Sequence, residues 1–186
     1  SLEIISGDQE ATIIYQAQIV ENPDNSHLYL YIDVGGGSTE LTFFNEKQIV
    51  AKESFNIGTI RLLKNQVEAD SWAALKSYTR ENIKGKKKLM VIGSGGNINK
   101  VFSLSKKKDG KPLPFQLLKD YYSELHNVSM EDRIKVYKLK EDRADVIVPA
   151  LQIYIAVMRW AHADEIYVPK IGVTDGLIHQ LYRENR

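Results

Sequence analysis

Apolar and polar positions change period along this chain, and the changes mark out its elements. Ser6-Gly-Asp-Gln9 has the form of a capping box, in which the Ser6 hydroxyl accepts from the Gln9 amide, and a helix-compatible run follows over 10–19. Turn chemistry in Glu21-Asn-Pro-Asp-Asn-Ser26 gives way to 28–34, whose β-branched, aromatic and aliphatic residues predict a buried strand. Gly35-Gly-Gly37 breaks it, extended character resumes over 40–44, Asn45-Glu-Lys47 turns, and 48–54 reads as a third strand. Three consecutive strands should form an antiparallel meander. Beyond them the period becomes helical, with helices predicted over 58–66 and over 71–83, where Trp72, Leu75 and Thr79 share a face. A short apolar strand over 88–92 is stopped by Gly93-Ser-Gly-Gly96, and a helix over 98–104 follows. After a basic, Pro-containing loop at 106–114 come helices over 115–125 and 130–137, the latter capped by Ser129. A strongly buried helix kinked at Pro149 is expected over 146–161, then a fifth strand over 165–168 and a closing helix over 174–182.

Strands separated by helices imply parallel pairing and a sheet covered on both faces. The expectation is therefore an α/β fold with a five-stranded mixed sheet and helices on both faces, in one domain spanning 1–186. Composition agrees: 43% hydrophobic and 26% charged residues are ordinary for a globular chain. Twenty-five Lys and Arg against 24 Asp and Glu leave a net charge of +1, so no bulk field draws the molecule to nucleic acid or an anionic membrane. Neither is expected as a partner. Arg159 and His162 close the longest apolar segment before the ~18 to 20 residues of a membrane span. With no cysteine there is no disulfide, thiol nucleophile or cysteine zinc site, and with no signal peptide at the start the expected compartment is cytoplasmic. His27, His126, His162 and His179 show no ligand spacing. The opening Ser1-Leu2 reads as a cloning remnant, and the chain as a fragment.

The segment Asp33-Val-Gly-Gly-Gly-Ser-Thr-Glu40 carries the densest chemistry. Amides of Gly35, Gly36 and Gly37 and the hydroxyls of Ser38 and Thr39 can donate to phosphate oxygens, while Asp33 and Glu40 can hold Mg²⁺ directly or through water. A hairpin turn between them would fold the two carboxylates toward one mouth. The competing reading is a glycine-rich β-turn with a solvated acid on each flank. Gly93, Ser94, Gly95 and Gly96 lie between strand and helix, where free amides and the helix dipole favour an anion; they equally suit a tight turn, and match neither a P-loop nor a dinucleotide fingerprint. Glu10, in the first turn of the opening helix, is suited to act as a general base, or simply to favour a helix N-terminus. The lysines at 84, 86–88, 106–108 and 111 would guide a polyanion or belong to solvated loops. Arg143-Ala-Asp145 reads as a structural tie from the long helix to a loop through a bidentate ion pair. Trp72 and Trp160 read as core or interface.

Taken in order, Ile5-Ser-Gly-Asp-Gln-Glu-Ala11, Tyr31-Ile-Asp-Val-Gly-Gly-Gly-Ser-Thr-Glu-Leu41, Ile57-Gly-Thr-Ile-Arg61, Gly93-Ser-Gly-Gly96, Asp142-Arg-Ala-Asp-Val-Ile-Val-Pro149 and Ile171-Gly-Val-Thr-Asp-Gly-Leu177 resemble the exopolyphosphatase/guanosine pentaphosphate phosphatase (Ppx/GppA) family, within the sugar kinase, Hsp70 and actin superfamily. The resemblance covers nearly the whole chain. It implies a ribonuclease H-like, actin-like domain, the second of two enclosing an active site, with residues 1–27 including the opening helix from the domain junction. It further implies Glu10 as the catalytic glutamate, Asp33 and Glu40 as metal-associated acids, and Gly93, Ser94, Gly95 and Gly96 as a second phosphate loop. The implied reaction is Mg²⁺-dependent hydrolysis of terminal phosphoanhydrides in inorganic polyphosphate or guanosine pentaphosphate. The implied partners are those substrates, an N-terminal domain of the same protein bearing the first phosphate loop, and a second copy in a homodimer. Gln9-Glu10-Ala11-Thr12 departs from the family's usual Glu-Glu-Ala-Arg, and the long C-terminal extension of larger members is missing. Two alternatives stay open: a non-catalytic phosphate- or nucleotide-binding actin-like module, and an ATPase or kinase of the same superfamily.

Overall fold

The computed structural model describes residues 27–45, 48–85 and 88–169. At the centre of its sheet is β1 (Leu28–Val34), where alternate side chains find a core on each face. Leu28, Leu30, Ile32 and Val34 join the main core, while Tyr29 and Tyr31 join a second cluster with Phe44 and Ile92. A strand buried on both faces reads as an unbroken apolar run, which is why 28–34 was legible. The expected meander is present: β2 (Thr39–Asn45) pairs antiparallel with β1, and β3 (Gln48–Phe55) antiparallel with β2, with a register shift between Phe43 and Phe44. β4 (Leu89–Ser94) lies parallel to β1 and β6 (Glu165–Tyr167) parallel to β4.

Among the described residues the sheet has six strands, in the order β3-β2-β1-β4-β6-β5, where five were expected. The addition is β5, the two residues Leu113–Pro114, antiparallel to β6 and inside the segment read as a loop. Two residues carry no period, and proline is tolerated there because the strand sits at the sheet edge.

Seven helices are described: α1 (Thr59–Leu63), α2 (Ala69–Ile83), α3 (Gly96–Ser105), α4 (Phe115–His126), α5 (Met130–Lys135), α6 (Glu141–Ala144) and α7 (Ile147–Trp160). Ser129 caps α5 as expected, its hydroxyl accepting from the Asp132 amide at 3.0 Å. Helix α7 is buried on nearly every side and packs against β1, α1, α2, α3 and α4. The kink expected at Pro149 has no cause: this proline stands in the first turn, where its missing N–H would have had no intrahelical partner. Trp72 and Trp160, both partly buried against the main core, meet edge to face, ring centroids 6.1 Å apart at 75°, joining α2 to α7. No described helix is long and apolar enough to cross a membrane. The helices expected over 10–19 and 174–182 lie outside the described residues.

Candidate functional site

The carboxyl ends of β1 and β4 meet at the middle of the sheet, and the chain leaves them in different directions: β1 turns into β2, while β4 runs into α3. In open α/β sheets such a divergence opens a crevice beyond the strand ends. Asp33 is the last polar position of β1 before this crevice; it pairs with Glu40 across β2 and with Ser94 across β4. Paired residues project from the same face, with Cβ atoms about 4.5 to 5.5 Å apart. The seven-residue separation of Asp33 and Glu40 is thus closed into a cross-strand pair of acidic residues. The Glu40 carboxylate also lies 3.5 Å from Lys52 Nζ, a diagonal neighbour on β3.

The turn between the two acids is held from behind by α1. The Thr59 and Ile60 amides donate to Gly35 O and Gly36 O at 3.0 and 2.9 Å, the Arg61 amide reaches Gly36 O at 3.4 Å, and Arg61 Nε donates to Gly37 O at 2.7 Å. In a trans peptide the carbonyl of one residue and the amide of the next point opposite ways. Fixing the carbonyls of Gly35, Gly36 and Gly37 on α1 therefore turns the amides of Gly36, Gly37 and Ser38 away from it, on the exposed side of the turn. This is a concavity of N–H groups suited to an anion. Helix α1 comes this close because Gly58 has no side chain: a Cβ there would stand 2.3 Å from Gly36 O.

The second turn presents the N-terminus of α3. Asn99 is the first residue whose amide closes back, donating to Gly95 O at 3.2 Å, so the amides of Gly96, Asn97 and Ile98 have no intrahelical acceptor. Gly95 is the N-cap at φ 108, a conformation few other residues adopt, and a Cβ on it would lie 3.4 Å from Asp33 Oδ1. The two turns therefore close on the same acid.

Two residues expected to bind phosphate take other roles. Thr39 is fully buried and its hydroxyl donates to Ile57 O at 2.6 Å, so its one O–H is committed to the protein. Gly93 lies inside β4, paired with Ile32; a Cβ there would meet Ile166 Cδ1 at 2.7 Å and Ile98 and Tyr154 carbons at 3.3 Å. It is a packing glycine beneath the turn. Thr39→Val should leave the buried Ile57 carbonyl unpaired and cost about 1–3 kcal/mol in urea unfolding. If stability is unchanged and phosphate affinity falls, the hydroxyl belongs to the ligand instead.

Asp33, Glu40, Gly35, Gly36, Gly37, Ser38, Ser94, Gly95 and Gly96 are brought to one mouth; Glu10 lies outside the described residues. Sequence reasoning gave no site role to α1, Arg61 or Gly58, although a glycine permits the close approach of another backbone. Arg143 was expected to tie the long helix to a loop through a bidentate ion pair; it stands instead in the short helix α6, and its Nη1 donates to Gly96 O, in the first turn of α3, at 2.8 Å.

The sequence model of the Ppx/GppA phosphatase family matches residues 1–184. A provisionally named exopolyphosphatase of Haemophilus influenzae is 24% identical over 97% of this chain and 60% of its own length. A guanosine-5'-triphosphate,3'-diphosphate pyrophosphatase of Vibrio parahaemolyticus is 23% identical over 100% of this chain and 40% of its own. The chain thus spans about half the length of these relatives. Among solved structures, a Ppx/GppA phosphatase of Aquifex aeolicus superposes with a TM-score of 0.77 at 22% identity, covering 96% of this chain and 64% of that one. An exopolyphosphatase from Cytophaga hutchinsonii gives 0.73, also at 22% identity, over 98% of this chain and 65% of that one. These likenesses share the α/β fold with its mixed sheet.

Proposed function

Because the chain belongs to the Ppx/GppA phosphatase family, we propose that it supplies the ribonuclease H-like half of an active site hydrolysing the terminal phosphoanhydride of inorganic polyphosphate or guanosine pentaphosphate. The observation that carries this reading is the pair Asp33 and Glu40, side by side between two turns that both offer backbone amides. The names of the relatives support the substrate class, and their greater length supports a further domain that completes the site. The lack of cysteine is compatible with the cytoplasm, the compartment we propose.

In the proposed reaction the amides of residues 36–38 and of the first turn of α3 donate to phosphoryl oxygens and hold the chain end in line. Asp33 and Glu40 would hold Mg²⁺, which when bound would supply charge neutralisation at the reacting phosphate. Two carboxylates fit that ion, which keeps waters and takes further ligands from phosphate; among the described residues no group of three or more His, Asp or Glu converges. Glu10 accepts a proton from water as the water oxygen bonds to the terminal phosphorus, and the bridging P–O bond breaks with its electron pair leaving on the shortened phosphate.

Orthophosphate release from polyphosphate, guanosine pentaphosphate and ATP, with and without Mg²⁺, tests the reading when this chain is compared with the full-length protein. Release by the full-length protein, greatest with polyphosphate or pentaphosphate, is the expected result. Binding without release would establish a phosphate-sensing module, and preference for ATP would establish an ATPase.

A further inference from the structure

Helix α7 is apolar on nearly every side, and in its middle stands a tyrosine that is 1% exposed. A buried phenol is costly unless its hydroxyl finds a partner, so phenylalanine would be the simpler filling for this place. The Tyr154 hydroxyl donates to Ser94 O, the last carbonyl of β4, and makes a second polar contact with the backbone of Val34, the last residue of β1. These residues immediately precede the two glycine turns. The β1–β4 ladder ends at the pair Asp33 and Ser94, so the hydroxyl bridges the strands where backbone pairing stops. It also lies 4.0 Å from the place a Cβ would occupy on Gly95, which itself approaches Asp33 Oδ1. Burial first, and then the Asp33 carboxylate, hold the phenol's pKa well above its usual 10, so it stays a donor throughout the working pH range.

We propose that Tyr154 is a positioning residue that pins the two phosphate turns to one another, fixing the spacing between the amides after Val34 and those of the first turn of α3, with Asp33 between them. The proposal rests on the phosphohydrolase reading for its kinetic consequence and on the geometry alone for its structural one. It predicts that the ring fills space under Gly93, where Tyr154 Cε1 would stand 3.3 Å from an added Cβ, while the hydroxyl sets the turns. Ring and hydroxyl are separable by mutation.

The test is Tyr154→Phe in the full-length protein, beside Ile153→Val, a fully buried neighbour on α7 that reaches neither turn by any hydrogen bond. Both variants should fold and lose a few degrees of melting temperature. At a temperature well below both transitions, Tyr154→Phe should lower kcat about tenfold or more with a smaller change in KM, because a displacement of about 1 Å at a reacting centre can cost ~10²-fold. Ile153→Val should leave kcat unchanged. Amide hydrogen exchange should quicken at Gly35, Thr59, Ile60 and Asn99, whose amides are bonded within the two turns, in Tyr154→Phe and not in Ile153→Val. Unchanged kcat and unchanged exchange in Tyr154→Phe would overturn the proposal, as would equal effects in both variants. If the wild-type protein hydrolyses no phosphoanhydride, the functional reading fails, and the exchange comparison still decides whether the hydroxyl pins the turns.

Discussion

Gly58→Ala should lower the thermal midpoint by roughly 6–12 °C, and Gly37→Ala, three residues into the adjoining turn, by no more than about 2 °C. Backbone preference alone gives the opposite expectation for the first. Gly58 has φ −141 and ψ 165, an extended conformation open to any residue, and alanine at such a site usually stabilises by restricting the unfolded chain. The close approach reverses the sign. A Cβ at position 58 would stand 2.3 Å from Gly36 O, 2.5 Å from Gly36 C and 2.5 Å from Gly37 C. All three atoms are backbone, and none can turn aside as the end of a side chain can. Relief requires that α1 and the turn separate, which stretches the bonds from Thr59 and Ile60 to Gly35 and Gly36. Overpacking of this kind costs about 3 kcal/mol, and each kcal/mol is worth ~2–4 °C in a chain of this length. A Cβ on Gly37 meets nothing within 4 Å, which makes that variant the control. Because the same separation releases the carbonyls that orient the turn, Gly58→Ala should also weaken orthophosphate binding below its melting transition. An unchanged midpoint would mean that α1 does not buttress the turn.

What sequence could and could not reveal follows from what a residue type specifies. The central strand, the meander and the glycine turn before α3 were legible because burial on both faces, turn residues and helical period are properties of consecutive positions. Strand β5 has only two residues, and α6 only four, so neither carries a period. Thr39 and Glu40 were grouped as neighbours, yet successive strand residues face opposite ways. Thr39 shares its face with Leu41 and Phe43, both fully buried in the main core, whereas Glu40 shares a face with Asp33. Alternation along β2 was sufficient to separate them. Gly93 pairs with Ile32 and points into the same core, for the same reason. Tyr154 also gave a signal, since a hydroxyl inside an otherwise apolar helix implies a polar group opposite it. The fastening of the first turn by α1 was not legible: it depends on contacts between residues more than twenty positions apart, such as Arg61 with Gly37.

The largest kinetic losses should come from Glu10→Gln and Asp33→Asn, and the two should differ in how they respond to metal. Each exchange keeps the size of the side chain and removes its charge, so packing changes little. If Glu10 takes the proton from water, an amide in its place removes the base, and general base catalysis is commonly worth ~10²–10⁴ in rate. The loss should fall on kcat, leave KM for polyphosphate nearly unchanged, and persist at saturating Mg²⁺. Asp33 has a different task in the proposed mechanism. It stands between Glu40 and Ser94, against the turn at Gly95, and its charge, with that of Glu40, would draw the cation into a mouth whose other groups include outward-facing N–H donors. Asparagine can still offer one neutral oxygen to the ion, so Asp33→Asn should move the Mg²⁺ midpoint upward by about tenfold or more, with part of the rate restored by excess metal. Glu40→Gln should move the midpoint less, because Lys52 already offsets part of the Glu40 charge at 3.5 Å. The order of metal sensitivity, Asp33 before Glu40 with Glu10 insensitive, is the signature of one base and two unequal metal-associated acids. An Asp33→Asn titration that overlays the wild type would remove that residue from the metal, and a Glu10→Gln protein that keeps its turnover would require the base to lie elsewhere in the full-length protein.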